Sequence, residues 1–314
     1  MYRHPTVIPL LLHSVMFALS LTGFAAAQTA ADERDVQDAE TIVVTGTKGS
    51  DTLRETITDF VAEVGDPPSA NYGYARWNRN LCVSVASLPE DPAQYIVNRI
   101  SEVAEGLGLG AREAGCAPNI TVVFTNDGAK LASRLVETSP RAFRPYGGVG
   151  GTTQGLHALN EFATSAEPVR WWLLTMPVDR AGMVAVRLQD NSDQGAYPTI
   201  QGSNSRISHS VRDDLWGAYV IVDVSKVRQF NWTQIADYLA MVVLVQIDPA
   251  ATPAGFDSIL NLFDTTTPAA GLTEWDKSYL HAVYEMAQYR LPRTQKSELV
   301  SRMLRAQDAA ADGE

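Results

Sequence analysis

The sequence predicts an α/β (α+β) domain, with a mixed, largely parallel sheet and buried helices, preceded by a flexible leader. Three observations predict it. Short β-branched runs of strand length alternate with segments of helical period, the order that builds strand–helix–strand crossovers. The run 217–224 (GAYVIVDV) is nearly continuous in apolar residues, as a strand covered on both faces must be. The segment 232–247 is apolar on most of its circumference, so it belongs inside the molecule.

Composition bounds the function. A hydrophobic share of 45% with 19% charged residues excludes a disordered chain. A net charge of −11 without a basic block excludes a nucleic-acid surface. Residues 1–27 place Arg3 before an apolar run that ends in Ala25-Ala26-Ala27. This is the pattern of a secretory signal peptide, with cleavage expected before Gln28 and a periplasmic or secreted product. No later apolar run is long enough to span a bilayer, so no transmembrane segment is expected after cleavage.

Residues 28–72 read as a polar flexible leader, broken by Gly46, Gly49 and Pro67-Pro68. Within it, 40–46 (ETIVVTG) resembles the short segment near the mature N-terminus of TonB-dependent outer-membrane receptors. There it adds a strand to its partner. A short strand or linker is the alternative reading.

A single domain is expected over 73–306. Leu81 to Val85 reads as a strand. Asp91 to Leu107 reads as a helix, with Asp91 as cap, Pro92 first in the helix and Gln94 closing a capping box. Asn119 to Phe124 reads as a second strand, parallel to the first because a helix joins them. Cys82 then starts one strand and Cys116 just precedes its neighbour, which places the two side by side. In an oxidising compartment that predicts a disulfide. Asp127 to Thr138 reads as a helix, and the glycine-rich stretch 146–151 as a loop. Val169 to Met176 is a strand on which Trp171 and Trp172 point to opposite faces, one into the core and the other over a loop. Residues 188–210 are polar and turn-rich. After the strand at 217–224, Asn231 caps the helix 232–247 with Gln234 closing a capping box. A helix starts at Thr273, a last amphipathic helix runs from Thr294 to Ala306, and 307–314 form a disordered acidic tail.

Candidate chemistry is sparse. Outside the signal segment only His157, His209 and His281 remain. Ser208-His209-Ser210 has no identifiable orienting partner and no G-x-S-x-G around it, so it reads as an exposed loop.

From Ala218 to Tyr284 the chain runs through the strand AYVIVDV, the helix IADYLAMVVLVQI, the turn Asp257-Ser258-Ile259-Leu260-Asn261-Leu262-Phe263 and the helix opening Leu272-Thr273-Glu274-Trp275-Asp276. This order resembles the C-terminal half of a metzincin-type zincin metalloprotease domain. It is also similar to a group of exported bacterial proteins of unassigned activity, there reaching back to about Trp77. The resemblance implies a zincin-like fold. It does not carry the chemistry. Asp237 falls at the first His of H-E-x-x-H-x-x-G-x-x-H, Tyr238 at the Glu and Met241 at the second His. Leu244 falls at the Gly, Ile247 at the third His and Leu260 at the methionine of the following turn. Zinc catalysis needs three ligands and a carboxylate base, and none of these positions supplies them.

The expectation is therefore a catalytically degenerate zincin-like protein with no catalytic residue, no cofactor and no metal. It would act by binding an envelope protein or polymer. The alternative is an envelope hydrolase with a metal-independent site near Trp171, Tyr238 and His209.

Overall fold

A computed structural model describes residues 45–65, 73–113, 115–144, 154–189, 196–199 and 210–311. The expected signal segment 1–27, residues 28–44, the glycine-rich stretch 146–151 and His209 lie outside them. The compact unit begins at Thr45.

A four-stranded mixed sheet organises the unit, in the order β1 (Val83–Ala86), β2 (Ile120–Thr125), β6 (Val211–Asp223), β3 (Val169–Asp179). The first three strands are parallel, and β3 runs antiparallel along β6. A separate two-stranded sheet pairs β4 (Val186–Gln189) with β5 (Ala196–Thr199). β6 is internal to its sheet, as its apolar run predicts.

Strand alternation divides the core into two. Ile120, Val122, Phe124, Trp171, Leu173, Val220 and Val222 face the larger core, which holds α2 (Glu90–Gly106) and α7 (Trp232–Leu244). Trp172, Leu174 and Ile221 face a smaller one beneath α3 (Gly128–Thr138), α4 (Pro140–Phe143) and α5 (Leu156–Thr164). Trp171 and Trp172 do take opposite faces. Both are packed, and Trp172 Nε1 donates to the Phe143 carbonyl at 2.8 Å, so neither merely covers a loop.

The Cys82–Cys116 disulfide is formed, with Cα atoms 6.1 Å apart at the floor of β1 and β2. Such a bond persists in oxidising compartments outside the cytoplasm. No helix among the described residues is long and apolar enough to cross a membrane.

Four expectations are corrected. First, the leader is not flexible throughout, because Thr45–Val64 forms α1. Its Ile57, Phe60, Val61 and Val64 are fully buried, and Phe60 stacks edge-on against Phe256, Trp275 and Tyr279. Gly46 and Gly49 fall in the first turns of α1, before these buried residues, and Pro67-Pro68 lie outside the described residues. Thr45 and Gly46, at the end of the strand-like 40–46 segment, open this helix.

Second, α2 is capped at Pro89 with no side-chain bond. Asp91 sits in its first turn beside Glu90, where both carboxylates favour the positive helix end. Third, α7 ends at Leu244, not Ile247. Its last carbonyls find other donors: Trp77 Nε1 bonds Val243 O at 2.7 Å and Tyr284 Oη bonds Leu244 O at 2.6 Å. Val245 turns extended and Ile247 bridges Gly65. Fourth, the last helix, α9 (Pro292–Ala311), runs into the expected tail. Ala309, Ala310 and Ala311 are the strongest helix formers.

Candidate functional site

The helix α7 follows β6 through the short α6 (Val224–Val227) and starts at a full capping box. Asn231 accepts from Gln234 N, and Gln234 Oε1 accepts from Asn231 N. This box fixes the rotation of α7, and hence where Asp237, Tyr238 and Met241 point. The structure does not bring the three together.

Asp237 is 1% exposed and faces α2. Its Oδ1 accepts from Arg99 Nε at 2.5 Å and its Oδ2 from Leu272 N at 2.8 Å. The carboxylate in turn holds the Arg99 proton more firmly than usual, chiefly through that side-chain bond. Gly271 closes the contact, since a Cβ there would collide with Asp237 Oδ2. Met241 is fully buried in the larger core. Asp237 and Met241 are thus an ion-pair clamp and a packing residue.

Tyr238 points elsewhere. It lines a cavity of about 160 Å³ between the start of β3, the 247–252 loop and the 260–264 turn. Trp171 and Phe263 meet its ring at 73° and 61°, with centroids 6.3 and 4.8 Å away. Trp171 is fixed by its own bond from Nε1 to Ile247 O. The carboxylates of Glu167, Asp248 and Asp264 also line the cavity. Burial pushes the Tyr238 phenol well above its ordinary value, and the charges of Asp264 and Glu167 push it further the same way. Tyr238 is 6% exposed, and its hydroxyl makes no hydrogen bond among the described residues.

A wider cleft of about 530 Å³ shares Glu167, Val169, Trp171 and Asp248 with this cavity and continues past Phe162 and Trp172. Arg170 also lines it, 4% exposed. Strand alternation puts its guanidinium on the Trp172 face, where it packs on Gly128 and donates to Glu167 O at 3.2 Å. The backbone of β3 therefore lies between this charge and Tyr238.

The turn after α7 is tied down by a buried carboxylate. Asp276 accepts from Ser258 Oγ at 2.6 Å, Ile259 N at 2.8 Å and Thr273 N at 3.0 Å. Thr273 and Asp276 form the capping box of α8 (Glu274–Glu285). Burial lifts the Asp276 pKa above its ordinary value despite these bonds. Leu260, held by this turn, is a wall of the Tyr238 cavity.

Among the described residues no group of three or more His, Cys, Asp or Glu is arranged to hold a metal ion. His157 and His281 are both exposed. Sequence reasoning gave no site role to Arg99, Glu167, Asp248 or Asp264; Asp248 directly follows the motif and Asp264 its turn, while Arg99 and Glu167 lie far from it in sequence. No protein-family model, curated protein or solved structure matches the chain.

Proposed function

We propose that this is an exported, non-catalytic binding protein built on a zincin-like scaffold, with the cleft around Tyr238 as its binding site. The observation that carries the reading is Asp237. It stands at the first metal-ligand position of the resemblance, and its carboxylate is committed to Arg99 and Leu272 N. The positions that support architecture support the same view: Ser258, Ile259 and Asp276 bond one another, and Tyr284 caps α7. Tyr238, at the position of the catalytic Glu, is a poor base, since a phenol ionises near 10 and burial raises this one. An aromatic cavity opening into a larger cleft has the form of a binding site.

Metal content tests the non-catalytic half of this reading. Mass spectrometry of protein purified under mild conditions should find zinc well below one per chain, and no peptidase activity should respond to a chelator. One tightly held zinc per chain, or chelator-sensitive peptide cleavage, would overturn it.

A further inference from the structure

We propose that the Tyr238 cavity takes a cationic head group, an ammonium or guanidinium, carried on a flexible apolar stem. The inference rests on the binding reading above and names its ligand class. The shared chemistry is that of a lysine or arginine side chain and of a free alkylamine.

Four observations carry it. The cavity volume of about 160 Å³ suits one long side chain and not a sugar ring with its hydration. Its walls are rings: Tyr238, Trp171 and Phe263 stand at 73° and 61° to one another. Rings set at these angles offer their faces to a cation. The lining includes Glu167, Asp248 and Asp264, while Arg170, the buried cation of the neighbouring cleft, lies across β3. An anion would meet three carboxylates there, and a neutral ligand would gain nothing from them.

The fourth observation is the Tyr238 hydroxyl, which makes no hydrogen bond among the described residues and belongs to the side chain that lines the cavity. An N–H donor from an incoming head group would hydrogen-bond its oxygen. Leu260, Ile247 and Pro168 complete the walls and give an alkyl stem an apolar track.

Binding of n-butylammonium, n-butylguanidinium, N-acetyl-lysine amide, n-butanol and pentanoate to the full chain tests this. Trp171, packed on Tyr238, supplies a fluorescence signal, and calorimetry an independent one. The cations should bind at least tenfold more tightly than butanol or pentanoate. The variant Glu167→Gln/Asp264→Asn should weaken cation binding at least tenfold and leave butanol unchanged. Tyr238→Phe should weaken cations several-fold. Both carboxylates of the double variant are exposed at the rim, so it should fold; an unchanged circular dichroism spectrum would establish that.

If the lysine amide binds much more tightly than butylammonium, the source is a peptide side chain. If the two bind alike, it is a free amine. Equal affinity across charge types, no cation binding at all, or a double variant that binds cations normally would each overturn the proposal. Preferential binding of butanol or pentanoate would do so while leaving the wider binding reading standing. That reading fails separately, on stoichiometric zinc.

Discussion

At the scale of single residues, Asp237 and Met241 serve the fold. Asp237 joins α2 to α7 and to the backbone entering α8. Its replacement by alanine would strand Leu272 N without its acceptor and leave Arg99 with Glu102 as its remaining carboxylate. Arg99 keeps 27% exposure and can rehydrate, so the loss should fall short of that for a fully buried ion pair. A decrease of about 2–3 kcal/mol is expected, measured from urea unfolding. A change below about 0.5 kcal/mol would mean that Asp237 is not a structural clamp. Arg76 works in the same way at another helix end. Its Nη1 donates to the carbonyls of Val283, Tyr284 and Met286, which close α8.

At the scale of elements, α1 shows how helices are held in place from outside the sheet. Its last turns join the 247–252 loop through Asp248 N to Val64 O and Thr252 N to Glu63 Oε1. That loop is one wall of the Tyr238 cavity. Phe60→Ala should therefore cost about 3–4 kcal/mol from the ring cluster with Phe256, Trp275 and Tyr279. Limited proteolysis should leave a resistant fragment that retains Thr45–Val64. A stable fragment beginning after Gly65 would refute this placement. Local signals were the legible ones. The capping box at Asn231, the helix start at Thr273, the short strand run of β2, the nearly continuous apolar run of β6 and the paired cysteines are each readable within a few residues. The helical period of Ile57, Phe60, Val61 and Val64 is equally readable, although glycines precede it and prolines follow it in sequence. The rest lies beyond local pattern. Asp237 pairs with a residue 138 positions away, and Glu167 reaches the cavity only because β3 is the antiparallel edge beside α7. No spacing rule encodes either contact.

At the scale of the whole molecule, several buried phenols link the fold to alkaline pH. Burial pushes Tyr74 up to about 12 and also raises Tyr219. Tyr238 is raised by burial and by Asp264 and Glu167, and Tyr284 by burial against the opposing pull of Trp77 and Arg76. In the unfolded chain a tyrosine ionises near 10. Below that value neither state is ionised, so this contribution to stability is fully present. Above it the unfolded state releases protons that the folded state keeps, and stability falls as pH rises through the folded values. Alkaline unfolding should therefore begin above about pH 10. The near-ultraviolet absorbance of phenolate should rise in two phases. Exposed tyrosines among the 11 in the chain titrate first. The buried ones should follow in a cooperative step that coincides with loss of far-ultraviolet circular dichroism. Loss of lysine charge in the same range adds repulsion to a chain already at −11, so the comparison that isolates the phenols is a variant. Tyr238→Phe should remove one late phenolate and move the alkaline unfolding midpoint upward. A single titration of all the tyrosines near pH 10 with the fold intact, or an unmoved midpoint in the variant, would show that these rings are more open to water than their burial indicates.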